Sequence, residues 1–159
     1  MPQLQFSAIV KAPVGHVWTQ LVNKVYHPEL FLPGVQEVKI LEDGPGNRAV
    51  REMTLNGPHG PMVIQEEITW DESTHIVDFR ILEHPSHTGN VINRIDLKKE
   101  GDSDEVWLTY EMNWVFKGEG ADPLESMNLK VPVLKSIDYI EAQLTKDTAW
   151  LLNYSSFPR

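Results

Sequence analysis

Residues 47–71 read NRAVREMTLNGPHGPMVIQEEITWD, and the alternation in this stretch decides how the chain folds. Side chains of a strand point to opposite faces with period 2. Ala49, Arg51, Met53 and Leu55 therefore share one side of a first strand, and Met62, Ile64, Glu66, Ile68 and Trp70 share one side of a second. Between them Gly57-Pro58-His59-Gly60 consists of chain-reversing residues. Closed as a four-residue loop, the hairpin pairs Asn56 with Pro61, Leu55 with Met62, Met53 with Ile64 and Arg51 with Glu66. An arginine and a glutamate then oppose each other on an otherwise apolar surface. Charges are rarely buried without a partner, so the pairing supports the register. A polar pair inside an apolar cup implies a lined cavity.

Working outward, Gln5 to Lys11 reads as a strand, and Pro13 suits the first position of a helix. Val14, Val17, Trp18, Leu21, Val22 and Val25 follow at the spacing of an amphipathic helix, which Pro28 and Pro33 limit. Val35 to Leu41 reads as a strand and Asp43-Gly44-Pro45-Gly46 as a turn. Past the hairpin, Ile76 to Glu83 and Asn90 to Lys98 alternate as strands. So does the run Val106, Leu108, Tyr110, Met112, Trp114 and Phe116. Short turns at Glu72-Ser73-Thr74, Pro85-Ser86-His87-Thr88 and Gly101-Asp102-Ser103 make these strands antiparallel neighbours. Asp122, Pro123 and Glu125 form a helix-start signature, and Pro132 argues for a break or restart. Val133, Ile137, Ile140, Leu144 and Leu151 keep helical spacing, and Tyr154 to Arg159 reads as a loose tail.

Strand, helix, six strands and a long helix make an α+β order. A curved seven-stranded antiparallel sheet wrapped around the C-terminal helix follows, since such a sheet buries one face. The 159 residues suit one domain spanning 1–159, with 41% hydrophobic residues. No run approaches the roughly 18 apolar residues of a membrane span, and the N-terminus lacks the signal-peptide pattern. The absence of cysteine excludes disulfides and thiol chemistry. A net charge of −9 argues against nucleic acid or anionic membrane as a partner. A cytoplasmic location is expected; monomer and dimer both stay open.

The Ala12-Pro13-x-x-x-Val17-Trp18 opening of the first helix, the seven-strand order and the long final helix resemble the START/Bet v 1-like (SRPBCC) helix-grip superfamily. Asp43-Gly44-Pro45-Gly46 resembles the glycine-rich loop of its pathogenesis-related plant members. Length and the hairpin residues Arg51-Glu52 and Gln65-Glu66 look most like the acetylaranotin-biosynthesis protein L-like subgroup. The resemblance implies the helix-grip fold over nearly the whole chain. Fold relatives include lipid and hormone carriers, polyketide cyclases and chaperone regulators, so the fold leaves function open.

Extending the register across the sheet puts Ile68 near Phe79, Glu66 near Ile81, Asn93 near Ile81, and Tyr110 or Met112 beside Asn93. Arg51, Glu66, Asn93 and Tyr110 then form a polar band on an apolar concave surface. Its expected walls are Met53, Ile64, Phe79, Ile95, Leu108, Met112, Trp114 and the underside of the final helix. Such a band orients a mostly apolar ligand. Equally, Arg51 and Glu66 make a structural pair, with Asn93 satisfying a backbone group. Three functions fit. The first is binding of a small or medium-sized hydrophobic molecule, anchored by Arg51 and Glu66 and oriented by Asn93 and Tyr110. The second is a cyclase or dehydratase acting in the same cavity on a polyketide-like substrate. The third is a protein-interaction module that uses Trp107 and Val115 on the outer face. His84-x-x-His87 offers only two ligands, and Asp43-Gly44-Pro45-Gly46 lacks the Gly-Lys-Ser/Thr ending of a phosphate loop, so no metal or cofactor is expected.

Overall fold

The structure, a computed structural model, describes residues 4–57, 59–98, 104–124 and 127–155, with side chains to residue 144. Seven strands form one antiparallel sheet. They are β1 (Leu4–Val10), β2 (Val35–Gly44), β3 (Arg48–Gly57), β4 (Gly60–Asp71), β5 (Ile76–Glu83), β6 (His87–Leu97) and β7 (Val106–Phe116), in spatial order β1-β7-β6-β5-β4-β3-β2. Two helices complete the α+β architecture: α1 (Val14–Tyr26) and α2 (Lys130–Ser155), with a short 3₁₀ turn at Pro28–Leu30.

The β3–β4 hairpin has the register that alternation demands: Asn56 opposite Pro61, Leu55 opposite Met62, Met53 opposite Ile64, Arg51 opposite Glu66. On β5, Ile68 meets Phe79 and Glu66 meets Ile81, with an extra residue, Leu82, accommodated between the Glu66 and Gln65 pairings. A bulge there turns the β5 edge next to Glu66.

One strand sits differently from the sequence expectation. Asn93 pairs with Val77, four residues from Ile81, and with Tyr110 on β7. The cause lies in the β5–β6 turn. The His84 ring accepts hydrogen bonds through Nδ1 from the backbone N–H groups of Ser86 and His87, both at 3.0 Å. A side chain standing in for a ladder carbonyl tightens the turn, so β6 begins at His87 and slides along β5.

The C-terminal elements also depart from expectation. Asp122 does accept a backbone N–H, from Leu124 at 2.8 Å, but it closes a turn ahead of the helix. The helix starts at Lys130, where Pro132 lies in the first turn and costs no internal hydrogen bond. The helix also runs to Ser155, past the start of the expected tail; residues 156–159, Pro58 and the Gly101-Asp102-Ser103 turn lie outside the described residues.

The core occupies one half of the concave face. Val17, Trp18, Leu21 and Val25 of α1 pack with Val133, Ile137 and Ile140 of α2 against Val10, Ala49, Ile68, Val77, Ile95, Val106 and Leu108. His16 Nε2 lies 2.9 Å from the Ile140 carbonyl and ties the helices together. On the outer face Trp107 and Val115 are exposed. No helix among the described residues is long and apolar enough to cross a membrane.

Gly89 has φ +112°, and a Cβ there would lie 1.9 Å from the Asn113 carbonyl oxygen on β7. Gly89→Ala is expected to cost roughly 3 kcal/mol, from forbidden backbone geometry plus a backbone clash. Urea unfolding measures it.

Candidate functional site

The apolar stripe of α1 ends with the helix at Tyr26, and beyond it the concave face is left open by the described side chains. A cavity of about 370 Å³ opens there. Its sheet wall carries Met53, Leu55, Ile64, Glu66, Phe79, Val91, Tyr110, Met112 and Trp114. Leu32 and Pro33 form one rim, and Met127, Asn128 and Leu129 ahead of α2, with Val131 and Pro132 in its first turn, form the other. Met127 and Val131 both line the cavity and are exposed, so the hollow reaches the surface between these rims.

The polar groups sit where packed core gives way to cavity. Arg51 is 1% exposed. Its Nη2 donates to Glu66 Oε1 at 2.7 Å, while Nη1 donates to the carbonyls of Lys24 and Val25 at 3.0 and 2.9 Å. Those carbonyls belong to the last turn of α1, where the helix has no amides left to satisfy them. The guanidinium therefore caps the helix, meets the negative end of its dipole and neutralises Glu66 at once. Glu66 Oε2 takes no hydrogen bond among the described residues.

Lys24 is the residue that sequence reasoning missed. It lies seven residues after Val17 and three after Leu21, hence on the apolar stripe rather than the wet face. It is 4% exposed. Nζ donates to Asn93 Oδ1 at 2.7 Å and stands 4.0 Å from the Tyr110 ring centroid and 5.1 Å from that of Phe79. Burial pulls its pKa down to about 7, helped by the Arg51 charge and opposed by Glu66. The Tyr110 hydroxyl donates to Ser136 Oγ at 2.6 Å, and burial raises its pKa, with the Ser136 bond opposing.

The expected band is thus two polar rows with Phe79 between them. Arg51 and Glu66 form one; Asn93 and Tyr110 form the other; Lys24 joins them through its carbonyl and its amine. Of the residues expected to contact a ligand, Arg51, Glu66, Tyr110, Met53, Ile64, Phe79, Met112 and Trp114 all line the cavity. Asn93 does not; it lies behind, fully buried, with Nδ2 unpaired. Ile95 and Leu108, expected walls, belong instead to the packed core.

His84 and His87 are buried against the Trp114 ring. Burial, with His87 and Lys117 nearby, brings the His84 pKa down to about 4. His87 Nε2 lies 2.8 Å from Asp122 Oδ1, which fastens the 118–124 segment to β6. Both histidines are occupied in holding turns.

Residues 14–136 match the family described as Acetylaranotin biosynthesis cluster protein L. Among solved structures the chain is similar to the Zhui aromatase/cyclase from Streptomyces sp. R1128, with TM-score 0.74 and 17% identity over 92% of this chain and 95% of that one. It is also similar to a START superfamily protein from Mycobacterium smegmatis, with TM-score 0.69 and 10% identity over 91% and 97% of the two chains. A third likeness is to Ara h 8.0201, with TM-score 0.62 and 17% identity over 91% and 98%. At these identities the likeness is one of fold, the helix-grip architecture. No curated protein matches the chain in sequence.

Two stability measurements test the polar cluster. Glu66→Ala is expected to cost about 3–5 kcal/mol by stranding a buried guanidinium. The double variant Arg51→Met, Glu66→Leu removes both charges but leaves the Lys24 and Val25 carbonyls without donors, so about 1–3 kcal/mol of loss remains. Chemical unfolding gives the order, and a double variant worse than Glu66→Ala contradicts the buried pair.

The second measurement uses pH. Between about 7 and the ordinary value of 10.5, folded Lys24 is neutral while unfolded Lys24 is protonated. The unfolded chain binds more protons, so this residue makes stability rise with pH across that window. Below it both states are protonated and the contribution is flat. The stability of Lys24→Met minus that of wild type is therefore expected to fall by up to about 1.4 kcal/mol per pH unit from pH 7 to 10. A constant difference contradicts the assignment.

Proposed function

The chain belongs to the family described as Acetylaranotin biosynthesis cluster protein L, and on that footing we propose that it binds a small or medium-sized hydrophobic molecule between the sheet and the C-terminal helix. The observation that carries this reading is a hollow of about 370 Å³ whose walls are mostly apolar and hold one buried charge cluster. That volume lies within the range of roughly 300–1,000 Å³ typical of small-molecule sites, and a few placed polar groups in an apolar lining are their usual means of orientation.

The hydrogen bonds divide the anchoring. Arg51 commits three of its four Nη N–H groups to two carbonyls and to Glu66, so its main part is to hold Glu66 in place. Glu66 Oε2 is the group left to accept a hydroxyl or N–H from a ligand. Met53, Ile64, Phe79 and Met112 supply the apolar grip, and the Tyr110 ring closes the floor. Asn93 acts at one remove, through Lys24.

A catalytic version of the same site, ring closure or dehydration of a polyketide-like substrate, is favoured by one observation. Glu66 presents an unengaged carboxylate oxygen in a mostly apolar hollow, where it can act as a base. The aromatase/cyclase fold neighbour is compatible with it. Glu66→Gln separates the two: loss of turnover with binding retained is the outcome for the enzyme.

Binding itself is tested with the neutral, environment-sensitive dye Nile red. Wild type is expected to bind it saturably, and Ile64→Trp, which fills the hollow, to weaken it at least about tenfold, or 1.4 kcal/mol. A melting temperature close to wild type shows that the variant still folds. Unchanged binding in that variant contradicts the cavity as the site.

A further inference from the structure

Lys24 is a buried amine to which ligand binding as just described gives no contact of its own, only the bond to Asn93. It lines the cavity, and among the described residues no carboxylate comes within ion-pair distance of it. Glu66, the nearest candidate on the wall, is held by Arg51 instead. A lysine kept from water without a carboxylate in contact is costly as an ammonium and cheap as an amine. Its pKa near 7 follows from that burial and from the neighbouring guanidinium. A desolvated lysine beside another cation is a recognised way of making an amine nucleophilic at neutral pH.

We propose, building on the binding reading above, that Lys24 is a covalent anchor whose Nζ condenses with the carbonyl carbon of an aldehyde or ketone ligand seated in the cavity. The bond to Asn93 engages an N–H of Nζ and leaves its lone pair free to attack. The lone pair forms the C–N bond as the carbonyl π pair moves to oxygen, and a proton passes from nitrogen to that oxygen to give the carbinolamine. Its hydroxyl then leaves as water, taking one proton from solvent, and the nitrogen lone pair closes the C=N bond of a protonated Schiff base. No oxidant or reductant is consumed.

The surroundings suit that product. The iminium keeps one N–H to donate to Asn93 Oδ1, and its charge lies over the faces of Tyr110 and Phe79, where a desolvated cation is stabilised. The Glu66 carboxylate adds favourable charge from the same wall. The apolar lining carries the remainder of the ligand and hinders hydrolysis by excluding water.

The test uses benzylacetone, a dialkyl ketone that carries a phenyl group, with sodium cyanoborohydride at pH 7, followed by digestion and mass spectrometry of the wild-type chain. A lysine with a pKa near 7 holds about a thousandfold more amine at this pH than one of ordinary value. Labelling of Lys24 is therefore expected to exceed that of any other lysine on the order of a hundredfold. The corresponding alcohol, which cannot condense, is expected to protect Lys24, and Lys24→Arg to abolish the adduct. Mapping on wild type makes the result independent of how well that variant folds. If benzylacetone displaces Nile red yet leaves Lys24 unlabelled, or labels lysines in proportion to their exposure, the covalent anchor is overturned and the binding reading stands. If neither ketone nor alcohol enters the cavity, both are overturned.

Discussion

The guanidinium of Arg51 joins three parts of the molecule that no apolar contact could join. It bonds two carbonyls at the end of α1 and a carboxylate on β4, from a position on β3, the strand next to the β2 edge of the sheet. Each partner alone is a liability when buried: helix-end carbonyls without donors, a carboxylate without a cation, a cation without acceptors. Together they are nearly satisfied, with Nε left unpaired among the described residues. This network fixes where the helix stops relative to the sheet.

Where the helix stops determines where the hollow begins. On one side of the cluster, α1 and α2 pack against the concave face with side chains such as Val17, Leu21 and Ile140 fully buried. On the other side the same curved face continues through Met53, Ile64 and Met112, and among the described residues these line an open cavity. The polar cluster is thus a partition between core and cavity, which is why it is buried yet borders the cavity. Lys24 follows from this placement: the last turn of the helix carries it over Phe79 to Asn93. Core packing, the partition and the chemistry of the cavity depend on one another.

Much of this was legible in the sequence because period-2 alternation is strict in the hairpin. Arg51 could face only one residue once the Gly57–Gly60 turn closed, and that residue was Glu66. The walls contributed by Met53, Ile64, Phe79 and Met112 follow from the same alternation carried across neighbouring strands. Asn93 was misplaced because the β5–β6 turn is set by a histidine ring that takes the place of backbone acceptors, and sequence spacing does not reveal such a contact. Lys24 was passed over because a lysine suggests solvent, although its spacing from Val17 and Leu21 put it on the buried stripe. Asp122 carried a helix-cap pattern but serves a turn and His87 instead. Local signals identified the elements well; side chains acting across elements fixed the details.

The account rests on an accessible apolar chamber bounded by a buried charge cluster. Crystals soaked in bromobenzene test it most directly, since bromine scatters anomalously and the probe has no polar group to bind elsewhere. The prediction is an anomalous peak in van der Waals contact with Met53, Ile64 and Phe79, with Arg51 and Glu66 bonded beside it. A chamber without a peak, or a Glu66 side chain turned out to bulk water, would contradict the account.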